Sequence, residues 1–402
     1  MTLSVYSVIA QKNGIDYYVQ QAFLNSPLLK DYNNQVRTNQ IDSLLIKAGR
    51  KPQINSSITN IYYPRINGYS YDQSITNGGL YSGLISVNKT ITGSGNISHQ
   101  LQSLQISNES LSITAKISEQ GIKKEVISQY ITTYGDLKQY QLNEDLVSVL
   151  HAEEIILKNL TEKGLYRQTD YLTFFITIQE QELNSKQILI KYQDDLGTLN
   201  YLCGISDTSF VLLSEPQLSV EELPAVDSSS FLKQFTLDSL QLVNKKILVD
   251  FNYKPKVNLF ADAGYNSSYL KNSSHNFGAS LGFNITLPIY DGNQRKLQDT
   301  KIDIADQTRS NYKSNFSSQS KQQIQKLRQQ LNATLSLIAE INKQISYFET
   351  LINADKKLVE TGEIRITDYI IAFSGYLNIK NQLTLNTINS LQIINQINYW
   401  NR

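Results

Sequence analysis

The sequence is poor in the residues on which disulfide frameworks and metal sites depend. Its 402 residues include one cysteine, Cys203, one methionine and three histidines. A single cysteine excludes an intramolecular disulfide and any multi-cysteine metal site. The histidines, His99, His151 and His275, lie far apart and outside any ligand spacing. We therefore predict no metal site and no cofactor.

Charge is scarce and balanced. Charged residues make up 18% of the chain, and 37 basic against 36 acidic residues give a formal net charge of +1. A nucleic-acid-binding surface needs a basic stripe, so we predict no nucleic acid partner. The glycines of Gly93-Ser94-Gly95 lack the lysine of a phosphate-binding loop. With no catalytic constellation elsewhere, we do not expect an enzyme.

Long hydrophobic runs are also missing, and none approaches the ~18 apolar residues typical of a membrane-spanning helix. Residues 3–10 permit two interpretations. They resemble the end of a signal-peptide apolar region with a cleavage site after Ala10, or they are a simple N-terminal tail. The positively charged segment that begins a signal peptide is not present, so both interpretations stay open.

The distribution of prolines predicts very long helices. None of the seven prolines lies in residues 65–215 or 289–402. Proline costs ~3 kcal/mol inside a helix, so long helices fit these stretches. Apolar residues spaced by three and four recur in both, as in a heptad seam. We predict helices at about 97–162 and 294–360, each ~100 Å long at 1.5 Å per residue.

Strand patterns precede both long helices. Apolar and polar residues alternate at about 52–63, 80–92, 255–266 and 276–288, most regularly in the last segment. Alternation over about ten residues is typical of transmembrane β-strands, which turn apolar side chains to lipid and polar ones to the lumen. Lys89 interrupts the apolar face of the second strand. The alternative is two hairpins of a soluble sheet.

A motif, G-x-x-R-x-T-D-Y, occurs twice, at residues 164–171 and 362–369. Self-similarity at a fixed period indicates equivalent structural units, and a period of about half the chain predicts a duplicated domain. We predict a first repeat at 11–205, a linker at 206–230 and a second repeat at 231–402. Each repeat has the order helix, strand, strand, very long helix, helix.

Four strands per chain cannot close a barrel, and lipid does not tolerate an open sheet edge. A membrane-spanning form of this chain must therefore oligomerise. Three copies supply twelve strands, an even number large enough for an aqueous lumen. The predicted fold class is an α+β membrane protein, a trimeric twelve-stranded β-barrel that continues into a long α-helical coiled-coil tunnel.

Three sequence elements carry a resemblance to a known family. They are Ala22-x-x-Asn25-x-Pro27, the segment Leu-Pro-Ile-Tyr-Asp-Gly-Asn at 287–293, and the paired Gly…Thr-Asp turns of the doubled motif. Over nearly its whole length the chain resembles the TolC-type outer-membrane efflux and secretion channels. The resemblance implies a homotrimer with its barrel in outer-membrane lipid and its helices in the periplasm. It also implies that the tip of the helices is closed at rest and docks with a periplasmic adaptor (membrane fusion) protein, which an inner-membrane pump of the RND or ABC type drives.

The paired turns are the candidate gate. A structural explanation is sufficient for Gly164 and Gly362, which suit the position after a helix end, and for the Thr-Asp pairs, which suit helix capping. The functional hypothesis adds Arg–Asp pairs that latch neighbouring helix pairs and aspartates that form a cation-favouring ring. The candidate gate and selectivity residues are Arg167, Thr169, Asp170, Arg365, Thr367 and Asp368.

The match to the family's turns is incomplete. The family places the second arginine two residues after the glycine, whereas Arg365 lies three residues after Gly362. An aromatic residue, expected three positions before each glycine, is replaced by Val359 and Thr161, so the family's tyrosine lock is not carried over. The exposed tip positions that resemble adaptor contacts are Gly164, Leu165, Gly362 and Glu363.

The leading hypothesis is a passive outer-membrane exit duct of a tripartite efflux pump or type I secretion system. The alternative is a soluble or surface-attached coiled-coil scaffold that uses its long helices as a spacer. Alternation at 277–287 favours the duct. The cargo is not encoded here, because pump and adaptor would select it.

Overall fold

The computed structural model describes residues 14–69, 71, 79–91, 93–207, 209–221, 229–268 and 275–401. The possible signal segment at 3–10, the start of the predicted first repeat and residues 208 and 222–228 of the predicted linker lie outside these ranges. In the described ranges, no helix is both long enough and apolar enough to span a membrane.

The described chain forms seven helices and four strands. In order they are α1 (Ile15–Asn25), α2 (Pro27–Ala48), β1 (Gln53–Tyr62), β2 (Gly79–Ile91), α3 (Ser94–Glu162), α4 (Gln168–Cys203), α5 (Ser230–Asn252), β3 (Lys256–Ser267), β4 (Phe277–Thr286), α6 (Gln294–Thr361) and α7 (Ile366–Trp400). The two long helices, α3 with 69 residues and α6 with 68, confirm the prediction from the proline-free stretches.

The first helical segment is divided by Ser26 and Pro27. A residue before proline is disfavoured in the α region, and Ser26 has the extended values φ −60° and ψ 115°. The Ser26 hydroxyl accepts a hydrogen bond from the N–H of Leu29 at 3.3 Å, which caps α2. Pro27 then occupies the first helical position, where its missing N–H costs nothing. Nearby Asn25 donates its amide to the carbonyl of Cys203 at 2.9 Å.

The four strands form one antiparallel sheet in the order β1-β2-β3-β4. Their positions agree closely with the segments of alternating sequence. Registers join Ile54 to Val87, Val87 to Ala261 and Ala261 to Leu281, which makes one continuous row across the sheet. Because paired residues share a face and alternate residues share it along a strand, every predicted apolar position falls on one side.

The apolar side of the sheet is uncovered. Ile58 is 79% exposed and Leu281 is 87% exposed. Lys89 lies on this side as predicted, opposite Leu259 in the register. The other side carries mainly Asn, Ser, Thr and Gly, and the Ser280 hydroxyl lies 3.4 Å from the Asp262 carboxylate. An extensive exposed apolar surface of this kind marks an interaction with a partner or a membrane.

The chain divides into two compact units, each of which combines segments from both halves of the sequence. One comprises Tyr32–Ile113 and Lys233–Lys313 and contains the sheet. In the helices of this unit, the Asn244 amide donates to the His99 carbonyl at 2.9 Å, and Arg295 pairs with Asp250 at 2.7 Å. Gly95 lies so near Phe251 that a Cβ atom there would be 2.7 Å from the ring.

The other unit comprises Met1–Asp31, Thr114–Leu232 and Ser314–Arg402. Tyr130, Tyr192 and Leu199 are fully buried at the centre of its largest apolar cluster. Apart from Ser230, the first residue of α5, the described part of the predicted linker has no helix or strand, but it is hydrogen-bonded to this unit. Tyr130 donates its hydroxyl to the Ser214 carbonyl at 2.7 Å, and Asn398 donates its amide to the Ser219 carbonyl at 2.8 Å.

Candidate functional site

The turn between α3 and α4 is closed by a glycine. Gly164 has a φ of +79°, a conformation that only glycine adopts at little cost. Its N–H donates to the Thr161 carbonyl at 2.9 Å, and the N–H of Leu165 donates to the Leu160 carbonyl at 3.0 Å. These two bonds form a Schellman motif, which satisfies carbonyls that the helix end leaves open.

The turn between α6 and α7 repeats this geometry. Gly362 has a φ of +76°, and its N–H donates to the Val359 carbonyl at 3.1 Å. The N–H of Glu363 donates to the Leu358 carbonyl at 2.9 Å. The prediction that Gly164 and Gly362 follow helix ends is therefore confirmed at both turns.

At the first turn, Asp170 caps the following helix. Helix α4 begins at Gln168, so Arg167 is the N-cap residue and Asp170 is the third helical residue. The Asp170 carboxylate accepts the backbone N–H of Arg167 at 3.1 Å. Thr169 lies within the first helical turn, where its carbonyl accepts the Thr173 hydroxyl at 2.9 Å. The capping predicted for the Thr-Asp pair thus comes from the aspartate.

At the second turn, the aspartate binds an arginine side chain. Asp368 accepts from Arg365 Nη2 at 3.1 Å and from Nε at 3.3 Å. Both belong to one turn, whereas the sequence predicts Arg–Asp pairs between neighbouring helix pairs. Thr367 lies beside Asp368 in the first turn of α7. Arg365 is 82% exposed in this pair, and exposed ion pairs contribute ~0–1 kcal/mol, so this partner is readily exchanged.

Sequence reasoning missed Tyr166, which connects the two turns. Its hydroxyl lies 3.0 Å from the Val359 carbonyl and 2.9 Å from the Ile364 carbonyl. The sequence comparison sought an aromatic residue at 359 or 161. The structure instead places the aromatic residue, Tyr166, in the first turn, from which it contacts the second turn. The only signal available was the difference between the copies, since Ile364 stands where the first copy has Tyr166.

An apolar cluster supports both turns. Helices α3, α4, α6 and α7 each contribute to it, and its buried members include Leu157, Phe174, Val359, Tyr369 and Phe373. Tyr369, the last residue of the second motif copy, stacks on Phe373 with ring centroids 6.1 Å apart. Burial raises the pKa of Tyr369 above its usual range, so its hydroxyl stays neutral. The two turns therefore rest on a common, tightly packed base.

Charged contacts near this cluster connect the two helical hairpins, α3–α4 and α6–α7, to each other and the helices within the first of them. Glu153 on α3, 9% exposed, accepts from Lys356 on α6 at 2.6 Å. His151 on α3 lies between two carboxylates, with Nδ1 3.2 Å from Glu154 and Nε2 2.9 Å from Glu182 on α4. Hydrogen bonding to Glu154, and then to Glu182, raises the pKa of His151. Both ring nitrogens can donate only when the ring is protonated.

The second hairpin has a different pair at the matching positions. Gly362 lies 198 positions after Gly164, and the same offset takes His151 to Glu349 and Glu182 to Lys380. Lys380 lies 3.3 Å from Glu349. One hairpin is thus joined by a histidine–carboxylate contact and the other by a lysine–carboxylate contact.

The predicted adaptor-contact residues are accessible. Gly164, Leu165, Gly362 and Glu363 are all exposed, and Leu165 exposes 56% of its surface. Among the residues that the structure describes, no group of three or more His, Cys, Asp or Glu side chains is arranged to hold a metal ion.

Comparison with protein-family models and with curated protein sequences yields no match. Solved structures do match. The outer membrane protein VceC of Vibrio cholerae is 14% identical with a TM-score of 0.78, and the comparison covers 96% of each chain. The open-state MtrE outer membrane channel of Neisseria gonorrhoeae is 10% identical with a TM-score of 0.74, covering 96% of this chain and 88% of that one.

The CmeC outer membrane channel of Campylobacter jejuni is 11% identical with a TM-score of 0.73, covering 96% of this chain and 85% of that one. Identities this low establish the fold. The chain has the fold of the TolC-like outer-membrane channels, and the resemblance predicted from the sequence is confirmed at that level.

Proposed function

We propose that this chain forms a passive outer-membrane exit duct, serving a tripartite efflux pump or a type I secretion system. The observation that carries the proposal is the fold that it shares, over 96% of its length, with outer-membrane channels. The exposed apolar face of the sheet supports it, because a surface of that kind suits contact with lipid.

The proposed assembly is a homotrimer with an internal two-fold repeat in each chain. Within the sheet β1 and β4 are the edge strands. Joining β1 of one chain to β4 of the next, three times over, gives a closed barrel of twelve strands and removes every edge. The barrel lies in the outer membrane, and the helices continue as a tunnel into the periplasm.

The proposed gate lies at the two helix turns. In a trimer, two turns per chain place six similar turns around one axis. Asp170 and Asp368 then form an acidic ring that favours cations, and Arg167 and Arg365 supply charges that pair across neighbouring helix pairs. The exposed positions Leu165 and Glu363 are offered to a periplasmic adaptor, and through it to an inner-membrane pump of the RND or ABC type.

The test is whether the protein behaves as a membrane channel. We expect it in the outer-membrane fraction, released only by detergent, and we expect the purified trimer to conduct ions in planar lipid bilayers. Recovery from the soluble fraction without detergent, with no conductance after reconstitution, would refute the duct. That result would support a coiled-coil scaffold instead.

A further inference from the structure

Tyr166 is held differently from its neighbours in the turn. Leu165 and Arg167 are exposed, whereas Tyr166 is partly buried and packs on the apolar cluster that contains Val359 and Tyr369. Burial raises the pKa of Tyr166, so its hydroxyl is a neutral donor. The Tyr166 side chain therefore points away from its own turn and contacts the α6–α7 hairpin.

The two groups that it reaches are backbone carbonyls of the second turn. Val359 lies at the end of α6, and Ile364 lies in the connection to α7. The hydroxyl has one proton, which is shared between the carbonyls at 3.0 Å and 2.9 Å. The Val359 carbonyl already accepts the N–H of Gly362, so the tyrosine adds a donor from the other hairpin to it and to the Ile364 carbonyl.

Tyr166 has no counterpart in the second turn. At the matching position of the second turn stands Ile364, which has no hydroxyl to return the bond. Its acceptors are main-chain atoms, so neither pH nor salt removes them. The exposed Arg365–Asp368 pair, in contrast, is screened by salt and open to other partners.

We propose that Tyr166 is a positioning residue of the gate, which clasps the two turns of one chain into a single body. The proposal rests on the proposed function of a gated duct. The two turns of a chain then move together, and the exposed charged side chains remain free to form and break contacts with other chains. Losing the clasp lets the turns separate and makes the closed state less favourable.

The first experiment measures the separation of the turns by spin labelling. Cysteines introduced at the exposed positions Leu165 and Glu363 are labelled, and labelled chains are diluted with unlabelled ones so that only distances within a chain are read. Cys203 stays in place, because it is buried and burial raises the pKa of its thiol to about 12, which prevents labelling. The distance distribution is then compared for the parent, Tyr166→Phe and Tyr171→Phe.

Tyr171→Phe is the matched control. It removes a tyrosine hydroxyl from the same hairpin, one that donates to Glu154 at 3.0 Å and does not join the two turns. We expect a narrow distribution in the parent and in Tyr171→Phe, and one about twice as broad in Tyr166→Phe. A broad distribution in the parent overturns the clasp, as does an unchanged distribution in Tyr166→Phe.

The second experiment records single-channel currents in planar bilayers. Losing one hydrogen bond predicts an open fraction about twofold to tenfold higher in Tyr166→Phe. Tyr171→Phe should match the parent, with similar thermal midpoints for both variants. Equal open fractions in the two variants overturn the gating role. A parent that conducts nothing refutes the duct, and the spin-label distances still decide whether the clasp exists.

Discussion

At the residue scale, the two turns share their sequence motif but not their contacts. Asp170 accepts a backbone N–H, whereas Asp368 binds the Arg365 side chain. Both carboxylates are close to solvent, so each combines a local bond with a charge that can face an ion. Capping and selectivity are therefore separable by substitution.

The prediction for the aspartates is a loss of cation selectivity. In the double variant Asp170→Ala/Asp368→Ala, the proposed acidic ring disappears, and the reversal potential in a KCl gradient should move toward zero. Asp170→Asn/Asp368→Asn is the control, because an amide oxygen can still accept a hydrogen bond but carries no charge. If the Asn variant keeps full selectivity, the aspartates serve only their local bonds, the cap at Asp170 and the Arg365 contact at Asp368.

A second residue-scale prediction concerns the glycines. Alanine at Gly164 or Gly362 has to adopt a positive φ, so each substitution should lower the free energy of unfolding by about 1 kcal/mol. Gly121, inside α3, has open space around it. Alanine there should raise stability by about 0.5–1 kcal/mol. Chemical denaturation measures both, and the same sign at all three positions would contradict the assigned turn geometry.

At the element scale, each hairpin is joined by a charged pair of different chemistry. His151 bridges α3 and α4, and the Lys380–Glu349 pair bridges α6 and α7. The first pair contains an imidazole, which gains a proton as pH falls, whereas the second contains a lysine, whose ordinary pKa lies far above neutral pH. A change in pH should therefore alter the stability of the α3–α4 hairpin and leave that of the α6–α7 hairpin unchanged.

The prediction follows from the direction of the His151 shift. Its pKa is raised in the folded state, so its contribution to stability is complete below the unfolded pKa of about 6.5 and is lost as pH rises through the folded pKa. His151→Gln should thus lower the thermal midpoint most near pH 5.5 and least near pH 8.5. Lys380→Gln should lower the thermal midpoint by the same amount at both pH values. Parallel pH profiles for the parent and His151→Gln would exclude the ionic bridge.

At the scale of the whole molecule, the sheet gives the physical reason for the proposed assembly of several chains. Its apolar side is bare, and its two edge strands have partners on one side only. A lone chain in water would expose both, which favours aggregation. The proposed insertion of several chains into a membrane would remove both problems at once.

Neighbouring residues on β4 test this assignment. Leu281 belongs to the apolar side and Ser280 to the other. Leu281→Lys places a charge in lipid at a cost of about 2–4 kcal/mol, so trimer assembly in membranes should fall sharply. Ser280→Lys should assemble normally and shift the conductance or selectivity instead. Equal assembly of both variants, judged by detergent-extracted trimer yield, would contradict a lipid-facing apolar side.

Sequence patterns predicted the long helices, the strands, the residues that form the apolar side of the sheet, and the glycine turns. These features depend on local rules: proline excludes helix, alternation sets strand faces, and a positive φ requires glycine. They were visible in residues such as Leu281 and Gly362 without any knowledge of distant contacts. The resemblance in three short elements then indicated a channel fold, which the structural comparison confirmed.

Tertiary structure alone decided which groups meet. Tyr166 reaches Val359 across 193 positions of sequence, and Lys356 reaches Glu153 across 203. No periodicity encodes such pairs, because they depend on how four helices pack around a common apolar cluster. By itself, the sequence determined the elements and their exposed or buried faces. Packing determined that the two copies of the motif, although they share the same sequence pattern, are joined by Tyr166, which has no equivalent in the second copy.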